Sequence, residues 1–121
     1  MKYAFENIKN IVQKYNHIVL WGQGRKLVAL YDTYANELKY RFYYVDNSPS
    51  KKGKDFFGLP IHSPEELVDY DADLIILAVG EKNLFNIKNK VREILKRQNR
   101  NVTKVITLGE LMNPSFRDLP I

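Results

Sequence analysis

The chain has 121 residues, 45% hydrophobic and 27% charged, with 19 Lys and Arg against 14 Asp and Glu for a net charge of +5. That length supports one layered core rather than two, and no apolar run nears the roughly 20 residues that cross a bilayer. Without cysteine there are no disulfides, thiolate zinc sites or thiol nucleophiles, and the two histidines, His17 and His62, are too scattered for a histidine metal cluster.

The opening MKYAFENIKN carries acid and amide where a secretory leader carries an apolar core, so the expected location is cytoplasmic. Phe5, Ile8, Ile11, Val12 and Tyr15 recur at three- and four-residue spacing, predicting an amphipathic helix over 3–15. His17-Ile-Val-Leu-Trp21 is apolar and β-branched, the pattern of a strand buried on both faces. Gly22-Gln23-Gly24 turns the chain into a second helix, with Leu27, Val28, Tyr31, Tyr34, Ala35 and Leu38 inward. Residues 41–45, RFYYV, predict a second strand that ends at the turn Asp46-Asn47-Ser48-Pro49.

A basic loop, Ser50 to Asp55, leads to Phe56–Ile61, a brief third strand or hairpin arm that Pro60 assigns to a sheet edge. Ser63-Pro64-Glu65-Glu66 has a helix N-cap, a proline at the first position and acids in the first turn, predicting a short helix over 64–69. Leu74–Val79 is the most apolar run, a central strand closed by Gly80. A helix over 83–98 follows, with Leu84, Ile87, Val91, Ile94 and Leu95 on one stripe. Its Lys88, Lys90, Arg92, Lys96 and Arg97 read as a solvated face, which disfavours nucleic acid as partner, although the same positive field suits an anionic small ligand. Val102–Leu108 predicts a last strand, Gly109–Met112 a further helical turn, and 113–121 an irregular tail.

Strands alternating with helices predict a single α/β domain over 1–121: a three-layer, doubly wound parallel sheet of about five strands in the order 3-2-1-4-5. Ligands on such sheets bind beyond the carboxyl ends of the strands, where the strand order reverses. Here that point lies between the strand before Gly22 and the strand before Gly80.

Gly22 and Gly24 supply the first two glycines of a dinucleotide fingerprint, in the strand–turn–helix context that leaves N–H groups free for a phosphate. Leu27 stands where the third glycine falls, which sets the helix farther from the sheet. Asp46 ends the second strand, where the fingerprint places an acid on a ribose hydroxyl. The alternative is a plain tight strand-to-helix turn at Gly22 and Gly24, with Asp46 and Ser48 capping the turn after the second strand. Arg25 and Lys26 near a helix N-terminus oppose its dipole unless they share an anion. Lys51, Lys52 and Lys54 either meet a ligand phosphate or form a solvated loop. His62 reads as structural or surface rather than as a base, and His17 starts its strand at the wrong end. No tyrosine has a lysine four residues on, Ser48 and Ser63 lack a histidine partner, and no catalytic machinery is evident.

Val-Leu-Trp-Gly-Gln-Gly-Arg, Tyr-Tyr-Val-Asp-Asn-Ser, the run Gly53 to Leu67 and Asp73 to Val79 together resemble a family. It is the Rossmann-like, CoA-binding-like N-terminal domain of bacterial sugar acyltransferases and nucleotide-sugar dehydratases and epimerases. The likeness spans about residues 17–108. It implies a diphosphate role for Gly22, Gly24 and Arg25, with Gln23 between them in the nucleotide site, a ribose or base role for Asp46 and Asn47, and a place for Gly80 on the far wall of the cleft. Gln23 departs from the small residue usual between the glycines, and the family's catalytic β-helix has no counterpart here.

The leading expectation is a nucleotide or nucleotide-sugar binding domain of cell-surface polysaccharide or sugar-nucleotide metabolism, with chemistry supplied by a catalytic domain in cis or trans. UDP-sugar, NAD and CoA are the candidate ligands. An NAD-dependent epimerase or dehydratase, a fragment of one, and a ligand-free interaction domain are the alternatives, and a homo-oligomer stays open.

Overall fold

In the computed structural model the described residues are 6–7, 9–11, 13–22, 27–29, 32–33, 42–47, 55–56, 59–98, 103–111 and 113. Six strands form one sheet: β1 (Ile18–Trp21), β2 (Phe42–Val45), β3 (Asp55–Phe56), β4 (Leu59–His62), β5 (Leu74–Leu77) and β6 (Lys104–Thr107), in the order β3-β4-β2-β1-β5-β6. The two-residue β3 pairs antiparallel with β4, and the other five strands are parallel. Those five give the expected 3-2-1-4-5 order, so the chain is a doubly wound α/β domain.

β1 lies at the centre, with Ile18 opposite both Phe42 and Leu74 and Trp21 opposite both Val45 and Leu77. All four β1 side chains are buried, as are all four of β5, because helices cover both faces. Alternation sends Ile18, Leu20, Phe42, Tyr44, Leu74 and Ile76 to one face, where they cluster with Ile11, Leu27 and Leu111. Val19, Trp21, Val45, Ile75 and Leu77 point to the other face and meet Leu67, Ile87, Val91 and Ile94. Each such side chain, fully removed from water, contributes about 1.5–3 kcal/mol.

Residues 6, 7, 9–11, 27–29, 32 and 33 are helical on the first face. Asn7 Nδ2 donates to Leu111 O at 2.7 Å, tying that segment to the short helix Leu108–Leu111. The second face carries the 3-10 helix Pro64–Asp69 and the long helix Glu81–Arg97. Gln98, at the long helix's C-cap, joins these two: its side-chain Nε2 lies within hydrogen-bonding reach of the carbonyls of Leu67, Val68 and Tyr70. At the amino edge of the sheet the Asp73 carboxylate accepts the N–H groups of Asn16 and His17 at 2.8 and 2.9 Å.

Several sequence expectations are corrected. Of the two readings for 56–61 the hairpin arm holds, as β4 pairs antiparallel with β3, but Pro60 sits opposite Asp55 rather than on a free edge. The helix over 64–69 is 3-10: Glu66 Oε2 accepts the Ser63 N–H at 2.7 Å, and the turn ends when the Tyr70 N–H bonds to Leu67 O. The long helix begins at Glu81, two residues early, because Gly80 itself is the N-cap. The last strand is only Lys104–Thr107, since Glu110 accepts the Thr107 N–H at 3.1 Å and starts the next helix. Val28, assigned inward, is 40% exposed, whereas Leu27 beside it is fully buried. The inward positions Tyr31, Tyr34, Ala35 and Leu38 lie outside the described residues. Among the described residues no helix is long and apolar enough to cross a membrane.

Candidate functional site

The parallel ladder continues one residue past the strands at their carboxyl ends. The Gly22 N–H donates to Val45 O at 2.8 Å, the Ala78 N–H to Trp21 O at 2.7 Å, and the Asp46 N–H to His62 O at 3.0 Å. These bonds satisfy main-chain groups that would otherwise be orphaned, and they fix where each following residue emerges. Above them opens a cleft of about 510 Å³ lined by Trp21, Gly22, Asp46, Asn47, Ala78, Val79, Gly80, Asn83, Asn86 and Ile87. It lies at the reversal point of the strand order, with β2 on one side of β1 and β5 on the other.

Gly22 is held at φ +99°, and a Cβ there would stand 2.7 Å from both Ala78 O and Val79 Cγ1. Only glycine fits, because the chain reverses against the backbone leaving β5. Gly80 has an ordinary φ of −66°, and a Cβ on it would meet nothing within 4 Å. Its bareness leaves room on the cleft wall instead of relieving a contact.

Asp46 and Asn47 follow β2 and form the wall on that side. The opposite wall is the start of the long helix, where Asn83, Asn86 and Ile87, at i, i+3 and i+4, share a face. Gly80 supplies no side-chain cap to this helix, so its positive dipole end opens on the cleft. Of the residues singled out from sequence, Gly22, Asp46, Asn47 and Gly80 surround one cleft. Gln23, Gly24, Arg25 and Lys51 lie outside the described residues.

Trp21, Asn83 and Asn86 were missed. Trp21 looked like any strand residue. The two asparagines had one legible signal, two amides three residues apart directly after a strand-closing glycine.

The histidines sit elsewhere. His62 stacks on Tyr43 with centroids 4.0 Å apart and planes 3° from parallel, and its Nδ1 is 3.2 Å from Glu66 Oε2. Tyr43 stacks in turn on Tyr70 at 4.0 Å, and His17 meets the Tyr70 ring edge-on at 6.0 Å. Burial raises the pKa of the Tyr43 phenol above its ordinary value, helped by Glu66, Tyr70 and Asp69; burial and then Asp73 do the same for Tyr70. This column joins strand ends to the 3-10 helix and accounts for His62 as a structural residue. Among the described residues, no group of three or more acids or histidines is placed to hold a metal.

No family model matches the chain, and no curated protein matches it. Solved structures do. The Rex-family repressor RSP superposes with a TM-score of 0.55 at 15% identity, over 96% of this chain and 55% of RSP. RSP in complex with beta-NADH superposes with a TM-score of 0.54 at 14% identity, over the same shares of the two chains. At that identity the likeness establishes the Rossmann-like fold, and the chain spans about half the length of the repressor.

Proposed function

We propose that this chain is a nucleotide-binding domain whose cleft takes a dinucleotide of the NADH type. The observation that carries the reading is the convergence of Gly22, Asp46 and Gly80 on one cleft at the sheet's reversal point. The glycine turn suits a diphosphate and Asp46 a ribose hydroxyl, and the repressor of like fold has been crystallised with NADH. A nucleotide-sugar is the second reading, favoured by the β3–β4 hairpin, whose His62 carbonyl fixes the Asp46 backbone. The binding of CoA, which the basic loop 51–54 favoured in the sequence, is the third arm of the test.

Trp21 is the chain's one tryptophan and lines the cleft, so it reports occupancy. Titration with NADH should quench its fluorescence and sensitise nicotinamide emission. Thermal shift against NADH, NAD, UDP-sugars and CoA should give one dominant hit, worth about 2.7 kcal/mol at a hundredfold excess over Kd. No shift with any of them defeats the reading. Asp46→Ala should weaken the dominant ligand, and unchanged affinity would mean that the ribose lies elsewhere.

A further inference from the structure

β6 is the outermost strand beyond β5. Its Val105 stands opposite Ile75, which belongs to the face covered by the long helix, so Val105 points to that face too, and it is 36% exposed. The Lys104 N–H bonds to Asp73 O across the ladder. Alternate residues bond the same neighbour, so Val105 turns its own N–H and C=O outward. The next outward position is closed, because Glu110 accepts the Thr107 N–H.

The flank of the long helix above this edge is apolar and basic. Asn83 and Asn86 line the cleft, and Lys90 Nζ lies 3.9 Å from Glu65 Oε1 of the 3-10 helix, so those positions face away from β6. On the opposite flank stand Phe85, Lys88, Arg92 and Lys96, at i, i+3, i+7 and i+11. Phe85 is 74% exposed, and the half-buried Leu84 and Leu95 lie between that stripe and the sheet. Among the described residues none of Lys88, Arg92 and Lys96 has a carboxylate partner, and Arg92 reaches only the Asn89 amide oxygen at 3.5 Å. Spaced four residues or about 6 Å apart along the axis, the three cations repel one another at a cost to the helix. Glu93 lies about 100° round from Arg92 and does not relieve them.

Charge and shape select the occupant. A second copy would bring the same Lys88, Arg92 and Lys96 against this row, so like charge opposes self-association. A single-stranded nucleic acid stacks successive bases on several aromatic rings, and this flank offers one ring among aliphatic side chains. A membrane takes a helix by its apolar stripe, and here that stripe is buried on the sheet. Outward main-chain groups at an edge strand fit another polypeptide.

We propose that the flank formed by β6 and the long helix docks an acidic polypeptide segment that carries apolar side chains. Its main chain bonds at Val105, its apolar side chains cover Val105 and Phe85, and its carboxylates meet Lys88, Arg92 and Lys96. The docking is independent of what the cleft holds.

The test is a ¹H–¹⁵N titration of the whole chain with a peptide of about 15 residues in which Glu alternates with Leu, beside a control with Ser for Glu. The acidic peptide should shift the amides of 84–96 and 104–106, and about a tenfold rise in salt should weaken it severalfold. No shifts on this flank, or equal binding of the control, overturns the proposal. Tighter binding there of oligothymidylate or of phosphatidylglycerol vesicles gives the flank to another class of partner and overturns it too, as does a dimer that Val105→Lys abolishes.

Arg92→Glu should weaken the acidic peptide about tenfold while the Tm holds or rises, since the new acid pairs with Lys88 and Lys96 at i−4 and i+4. Phe85→Ser should weaken it about fivefold with the Tm unchanged. Unchanged affinity in both variants overturns the proposal.

Discussion

Gly22 and Gly80 stand at matching points of the fold, each just past a central parallel strand and each on the wall of the same cleft. Gly22 is forced: its φ is +99°, and β5's continuation leaves no space for a Cβ. Gly80 is free in both respects, with an extended backbone and open space where a side chain would go. A glycine can thus be kept for the fold or kept for a guest, and only the neighbours across the sheet tell which. The Gly22 junction holds β1 against β5, and the Gly80 junction leaves a helix end uncovered.

The sharpest way to break this contrast is Gly22→Ala. Left-handed strain and the 2.7 Å contacts should together cost about 2–4 kcal/mol, a large share of a small domain's stability. Urea denaturation should show the midpoint falling with m unchanged. Adding Val79→Ala removes the Cγ1 contact but not the Ala78 carbonyl, so the double variant should recover only part of the loss, with a coupling of about 1 kcal/mol. Strict additivity would show that the two residues do not press on each other.

A second effect lies away from both junctions and so calibrates them. Tyr43 and Tyr70 have raised pKa values in the fold, chiefly from burial. The unfolded chain therefore ionises first, near the ordinary value of 10.0, and binds fewer protons there than the folded chain does. The stability these phenols contribute is complete below pH 10.0 and is lost as pH rises through their folded values. Denaturation midpoints across pH 9 to 12 should fall in parallel for the wild type and a Gly80 variant. Tyrosinate absorbance should show Tyr43 and Tyr70 titrating late, as Tyr43→Phe and Tyr70→Phe variants would assign. A flat stability profile would contradict the burial of this column.

The smallest effect is expected at Gly80. Gly80→Ser fits without contact and supplies a capping hydroxyl, so stability should change by only about a few tenths of a kcal/mol, upward. Its consequence should appear in ligand affinity, because the new side chain enters the cleft. A loss at Gly80 as large as that at Gly22 would erase the distinction between the two.

The sequence by itself determined the parallel strands, their order and the reversal point. Buried parallel strands write themselves as continuous apolar runs, and His17–Trp21 and Leu74–Val79 are such runs. It also brought Gly22, Asp46, Asn47 and Gly80 to one edge, because residues that follow parallel strands emerge on the same side. Local pattern was weaker where helix types compete: Ser63–Glu66 signals a helix start, but the 3-10 form comes with the Gln98 amide under the carbonyls of its last turn. Tertiary structure alone decided the rest. The difference between Gly22 and Gly80, the unpaired Trp21 N–H and the stacking of His62 on Tyr43 each depend on residues far apart in the chain. Periodicity records which face a residue occupies, but not which atom from another strand or helix arrives opposite it.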